Sequence, residues 1–350
     1  MNKDFNNIKT GVIGVGSMGK HHARVLSDLS NFVAVSDTDE VQGRLISKKY
    51  DVKYFSDYKE MLSEVDVVSI VVPTVLHNKV ASEAIKSGVH VLVEKPLAPT
   101  VKEAKEIIDL SVEKGVILSV GHIERHNPVV TETYHRIVSG EWGDIVSMNA
   151  KRVSPLETES FLKNEIRRIN DVGVLYDLSI HDVDIISYLA NSNAVLASAM
   201  GSSTSIINHE DNIGILLKFA NGITAISEAN WLSPVKERSL KITFKKHNVF
   251  LDFVKQTITV SSAKQMPKSS ATLSNGEWDR QSFIVETKNI ALNVEEPLKC
   301  EIIDFLNAVE NKGNPLVSGA DGLEAVKIVN ACKESMITGK SIKFGDNKKQ

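Results

Sequence analysis

Between residues 8 and 120 the chain alternates short, almost unbroken apolar runs with stretches whose apolar positions recur every three or four residues. The runs are Ile8–Val15, Asn31–Ser36, Val65–Val72, Val89–Val93 and Val116–Val120. Strands that are apolar on both faces, and do not alternate, belong to a parallel sheet covered by helices on either side. The intervening stretches carry helix ends. Thr100 with Glu103 forms a capping box, and Gly88 and Gly115 stand where left-handed caps close helices. This alternation predicts a doubly wound parallel α/β domain of the Rossmann type over residues 1–125.

Beyond Pro128 the period changes. A helix over 128–139 leads to a strand near Asp144–Val153, then to a helical stretch from Val174 to Leu189. Strand patterns follow from about Ala194, and Asn221-Gly222 between two alternating runs signals a hairpin. Residues 126–350 therefore predict an α+β domain with a largely antiparallel open sheet. Residues 262–281 are polar and patternless and read as a surface loop. Two helices, Leu298–Asn311 and Ala320–Thr338, complete the pattern.

Composition narrows the function classes. At 350 residues the chain has room for about two domains. A net charge of −3 gives no reason to expect nucleic acid or an anionic membrane as partner. The longest apolar stretches fall far short of the ~20 residues of a spanning helix. The polar start MNKDFNNIKT runs into a strand, so no signal peptide is expected. Cys300 and Cys332 are far apart, which argues against a disulfide scaffold or a thiolate zinc site. A soluble, cytoplasmic protein without a metal is the expectation.

Gly14-Val-Gly16-Ser17-Met18-Gly19 matches G-x-G-x-x-G where the first strand gives way to the first helix, the context that pattern requires. The first glycine allows the tight turn, the second admits a pyrophosphate, and the third lets helix pack on strand. Free N–H groups at the helix start, around Ser17 and Met18, suit the phosphates. Asp37 ends the second strand eighteen residues past Gly19, where a carboxylate accepts from ribose hydroxyls and repels a 2′-phosphate. NAD is thus expected over NADP, although Asp37 is also turn chemistry in its own right. His21 and His22 read as solvent-facing or locally packed, with a cofactor contact as the alternative.

Glu94-Lys95-Pro96 follows the strand VHVLV, and ligands of such sheets sit beyond the strands' carboxyl ends. A lysine there can stabilise a substrate oxygen as its proton leaves; the alternative is an exposed ion pair. Asp177 and His181, four apart, share one face of a helix. A carboxylate beside an imidazole suits a general acid/base, and the alternative is again a surface pair.

Taken together, GVIGVGSMGKHHARVL, VVPTVLHNKVASEAIKSGVHVLVEKPLA and DVGVLYDLSIHDVDIISYL resemble the glucose–fructose oxidoreductase/inositol dehydrogenase family (Gfo/Idh/MocA) over essentially the whole chain. The resemblance implies catalytic roles for Lys95, Asp177 and His181. It also implies a cis Lys95–Pro96 bond, and it adds Pro73, Thr74, His77, Glu94, Lys95 and Asn127 to the cofactor-binding set. Ser179 stands where members often carry glycine. In the implied reaction a secondary alcohol gives hydride to NAD while His181 takes the hydroxyl proton, Lys95 binds the same oxygen and Asp177 orients the imidazole.

GHIERHNP, residues 121–128, joins the two domains and resembles the nucleotide-sugar subset of the family, notably UDP-N-acetylglucosamine 3-dehydrogenases. Arg152, Arg167 and Arg168 are candidates to hold a diphosphate, and Arg125 to line the substrate cleft, with Lys95, Asp177 and His181 at the sugar. Ordinary surface charge is the alternative for each arginine. The leading expectation is oxidation of UDP-N-acetylglucosamine at carbon 3. The others are an inositol or free-sugar dehydrogenase and a non-catalytic NAD-binding regulator. A homodimer or homotetramer is expected from the resemblance.

Overall fold

The computed structural model describes residues 5–155, 173–205, 208–265 and 283–344. The chain forms two compact units. The first comprises Met1–Asn127, Leu175–Ile185 and Glu295–Ile337, and the second comprises Pro128–Val174, Ile186–Val294 and Thr338–Gln350. The linear division at residues 125/126 is therefore interleaved in the structure.

In the first unit, β1 (Phe5–Ile13), β2 (Ser30–Ser36), β3 (Lys53–Phe55), β4 (Val67–Ile70), β5 (His90–Glu94) and β6 (Leu118–Gly121) form one sheet in the order β3-β2-β1-β4-β5-β6. All of its neighbours are parallel. Successive residues enter two separate apolar clusters. Ile13, Val68, Val91 and Val93 join one, while Val12, Val67 and Leu92 join the other. That double burial is what the unbroken apolar runs encode. α1 (Gly19–Leu29) packs into the cluster of Leu92, as do α2 (Glu40–Tyr50) and helix Pro297–Glu310. α3 (Tyr58–Met61), α4 (His77–Lys86), α5 (Val101–Lys114) and helix Gly319–Thr338 pack into the cluster of Val91. The strand order reverses between β1 and β4, the position where such sheets bind ligands. β3 has no apolar run in the sequence. It is a three-residue edge strand.

The second unit holds β7 (Ile145–Pro155), β8 (Ala194–Ser202), β9 (Asn212–Phe219), β10 (Thr224–Asn230), β11 (Leu232–Phe244), β12 (His247–Asp252), β13 (Thr257–Gln265), β14 (Phe283–Ile290) and β15 (Ile342–Lys343). They form a nine-stranded sheet in which only β7 and β10 pair in parallel. Strict alternation of exposed and buried residues along β9 and β10 leaves one face open. The Asn221-Gly222 turn joins those two strands. Gly222 takes φ 92° and donates to the Phe219 carbonyl at 3.0 Å, so the loop is a turn followed by a left-handed residue. Residues 262–265, read as loop from their polarity, are the end of β13. They pair in register with β14, where the backbone ladder needs no apolar side chain. Residues 266–281 lie outside the described residues. No described helix is long and apolar enough to cross a membrane.

Candidate active site

The three fingerprint glycines are set apart by what surrounds them. Gly14 has φ +87°, and a Cβ there would stand 2.4 Å from the Val71 carbonyl oxygen. A Cβ on Gly19 would stand 1.8 Å from the Gly14 oxygen, so α1 can approach β1 only without one. At Gly16 nothing lies within 4 Å. Gly16 is exposed and its neighbour Ser17 likewise, so an incoming group meets bare backbone. No side chain caps the start of α1 at Met18; the Lys20 and His21 N–H groups donate to the Gly16 and Met18 carbonyls, and the N–H groups ahead of them, at Ser17 to Gly19, are the ones that suit an anion. An open cradle at an uncapped helix N-terminus fits a dinucleotide pyrophosphate.

Asp37 holds this loop in place. Its Oδ2 accepts from the Val15 N–H at 2.7 Å, and its Oδ1 accepts from the Asp39 N–H at 2.8 Å. A carboxylate has about four acceptor positions, so the turn role and ribose binding are compatible.

β5 delivers Glu94 and Lys95 to the end of the sheet, and the Lys95–Pro96 bond is cis. Lys95 Nζ donates to the Asp177 carbonyl at 2.7 Å and to Asp177 Oδ1 at 3.3 Å. Asp177 stands in a π-helical turn, Leu175–Ser179, that runs into helix Ile180–Ala190, which carries His181. Single π turns inside α-helices recur at functional sites. The Ser179 departure is buried within this turn.

Glu94 and His77 face protein groups. Glu94 Oε1 accepts from His22 Nε2 at 3.0 Å, and its Oε2 accepts from the Lys95 N–H at 3.0 Å. Burial works to raise the Glu94 carboxyl, but the His22 bond and the neighbouring positive charges, Lys95 among them, bring it below the ordinary value. His77 is 1% exposed, and its ring nitrogens lie 2.8 Å from the Pro96 oxygen and 2.9 Å from the Val72 oxygen. Burial pushes its imidazole down. With both nitrogens against backbone carbonyls, the His77 ring supports the lysine turn. Pro73 and Thr74 stand just beyond β4, where a 3-10 turn, Thr74–Leu76, begins. Asn127 is buried and donates to Glu124 Oε2 at 3.1 Å.

Arg125, expected to line the substrate cleft, and Arg152, expected at a diphosphate, are both buried. Arg125 is 4% exposed, and its Nε donates to both Asp184 oxygens at 3.0 and 2.9 Å. Its Nη2 donates to Asp184 Oδ1 at 2.6 Å and its Nη1 to Asp321 Oδ1 at 2.9 Å. Burial disfavours its charge, but Asp184 and then Asp321 outweigh burial and hold the guanidinium above its ordinary value. Arg125 is thus committed to tying helix Ile180–Ala190 to helix Gly319–Thr338. In the second unit, Arg152 is 1% exposed on β7, with its guanidinium 5.7 Å from the Phe253 ring centre. Arg167 and Arg168 lie outside the described residues.

His22 was read as solvent-facing or locally packed, yet it is fully buried and bonded to Glu94. His21 is exposed. Asp184, Asp321 and the buried His122, whose Nδ1 is 3.9 Å from Asp184 Oδ1, also escape a local reading. Their partners are remote in sequence, and no short motif marks them.

Family models match most of this chain. Residues 8–122 match the oxidoreductase family with an NAD-binding Rossmann fold, and residues 130–249 match the GFO/IDH/MocA C-terminal domain. UDP-N-acetylglucosamine 3-dehydrogenase of Acidithiobacillus ferrooxidans is 28% identical over 304 residues, 86% of this chain and 88% of that protein. scyllo-Inositol 2-dehydrogenase (NAD(+)) of Bacillus subtilis is 25% identical over 354 residues, covering 96% of each. A solved structure of the Acidithiobacillus ferrooxidans enzyme superposes with TM-score 0.81 at 26% identity, over 95% of this chain and 98% of that one. The chain belongs to the Gfo/Idh/MocA family and is an NAD-dependent oxidoreductase acting on CH–OH groups.

Proposed function

We propose that the protein oxidises a secondary hydroxyl of a nucleotide sugar, UDP-N-acetylglucosamine at carbon 3 in the leading reading, with Lys95, Asp177 and His181 as its catalytic residues. The observation that carries the site assignment is the Lys95 Nζ–Asp177 contact at 3.3 Å, one helical turn before His181. Gly14, Gly16, Ser17, Met18 and Gly19 hold the pyrophosphate, Asp37 the adenosine ribose, and Pro73 and Thr74 flank the nicotinamide half. Glu94 and His77 brace the turn that carries Lys95, and Asn127, held against Glu124, completes the cofactor set. When bound, NAD accepts the hydride of the carbinol carbon. His181 removes the hydroxyl proton as general base, worth about 10²–10⁴ in rate. Lys95 donates to the same oxygen, an interaction that strengthens as negative charge develops there. Asp177 accepts from the ammonium and so aims it, and orients the imidazole.

The choice of sugar is supported by the Acidithiobacillus ferrooxidans relative and by GHIERHNP. A second reading, an inositol or free sugar, is favoured by the burial of Arg152, one of the proposed diphosphate ligands, and of Arg125 in its ion pairs. A homodimer or homotetramer in the cytoplasm completes the proposal. Leu216 and Ile226, each 49% exposed and paired across β9 and β10, place apolar surface on the open sheet face. The test is a comparison of kcat/KM for UDP-sugars, free N-acetylglucosamine and inositols, followed by NADH absorbance. A UDP-sugar is expected to lead, because binding energy from a remote diphosphate can be used to position the reacting carbon. An inositol or free sugar that outperforms every UDP-sugar overturns the leading reading in favour of the second.

A further inference from the structure

Two histidines with almost no solvent access converge on the same turn from opposite faces of the sheet. His22 belongs to α1, which packs into the cluster of Leu92, and His77 opens α4, which packs into the cluster of Val91. Their exposures are 0% and 1%. Burying an imidazole is costly unless its nitrogens find partners; among the described residues His22 Nδ1 has none and one His77 nitrogen lies against the Val72 carbonyl, while the remaining contact of each ring falls on either side of one lysine. His22 reaches the Lys95 N–H through the Glu94 carboxylate, in two bonds of 3.0 Å. His77 reaches the Pro96 carbonyl at 2.8 Å.

We propose that His22 and His77 are positioning residues that clamp the Glu94–Pro96 turn from the two helical layers and so fix the line along which Lys95 reaches its target oxygen. The proposal rests on Lys95 being the substrate contact. The physical need is clear from the side chain itself. A lysine stem carries about 2 kcal/mol of rotamer entropy and a point charge with no directional fork. Its aim therefore depends on how firmly its backbone is held. Asp177 restrains the far end, and the two histidines restrain the near end. Glu94 is the coupling element: its carboxylate, held ionised by its surroundings, accepts from both His22 and the Lys95 N–H. Without His22, the Oε1 oxygen of a largely buried carboxylate loses its partner and the whole side chain is free to turn away.

The test uses full-length protein labelled with 15N-lysine. Exchange of the Lys95 amide with solvent is measured in wild type, His22→Leu and His22→Gln, with thermal unfolding as the fold control. In His22→Leu the Lys95 amide should exchange at least about tenfold faster while global stability still protects the core. His22→Gln, whose amide can donate to Glu94, should recover the protection. With substrate, His22→Leu should lower kcat by about tenfold to a hundredfold with NAD affinity unchanged. Added to Lys95→Ala, it should cost nothing further, because coupled residues are non-additive. Should His22→Leu fail to fold, His22→Asn, too short to reach Glu94, carries the same expectation. Unchanged Lys95 exchange overturns the clamp, and so does an additive loss in the double variant or a parallel loss of NAD affinity. If the wild type oxidises no sugar, the reading of function has failed, and the exchange measurement still decides the clamp.

Discussion

Glu301, on helix Pro297–Glu310, is 1% exposed, and neither carboxyl oxygen has a hydrogen-bond partner. Burial first, then the negative charges of Glu94 and Asp304, push its carboxyl well above the ordinary value. The folded protein therefore keeps a proton that the unfolded chain releases in the ordinary carboxylate range. The stability this group supports is full below that range and is lost as pH rises toward the raised value. Glu301→Gln, which is neutral at every pH, should gain thermal stability over wild type as pH goes from 5 to 8. Melting curves that shift in parallel across that interval would refute this. At the same scale, the candidates Lys95 and Asp177, which the structure brings into contact, were legible because each sits in a short motif, at a strand end or on a helix face. The ion pairs of Arg125 were hidden because its partners, Asp184 and Asp321, lie 59 and 196 residues away in sequence. The role of His22 was hidden in the same way, since Glu94 is 72 residues on.

The fingerprint loop separates two jobs that one motif combines. Gly14→Ala and Gly19→Ala would force a Cβ to within 2.4 Å and 1.8 Å of backbone oxygens, so both should lower the melting temperature sharply. Gly16→Ala meets nothing within 4 Å and should melt like wild type, yet its methyl group enters the space left for a pyrophosphate. Calorimetry alongside NAD titration distinguishes the two. Equal destabilisation of all three variants would contradict the assignment. The clamp between helices Ile180–Ala190 and Gly319–Thr338 makes a second prediction. Arg125→Met leaves Asp184, 2% exposed, without its fork-shaped partner, and should cost about 3–5 kcal/mol in denaturant unfolding. A loss below about 1 kcal/mol, the range of exposed pairs, would mean that the buried geometry contributes little. Elements with long apolar signals were readable, whereas β3 and the end of β13 were not. Their backbone pairing is set by neighbouring strands, with no apolar periodicity of their own. The π turn at Leu175–Ser179 was equally hidden, because a four-residue spacing suits either helix type.

At the scale of the molecule, the alternation of runs and helices foretold a doubly wound parallel sheet followed by a mostly antiparallel one. It did not foretell that Glu295–Ile337 returns to the first unit. An amphipathic pattern says that Phe305 and Leu306 face a core, not which sheet supplies it. The return has a functional side, since it brings Asp321 to Arg125 and puts Glu301 within the electrostatic reach of Glu94, the residue bonded to the Lys95 N–H. The central claim is that this unit builds a base and a charged lysine around a hydroxyl awaiting hydride transfer. A rapid-mixing single turnover of His181→Ala with NAD and the best substrate tests it most directly, read beside wild type and with NAD affinity measured separately. NADH formation should slow by about 10²–10⁴ while NAD binds as before; a His181→Ala burst at the wild-type rate would contradict the account.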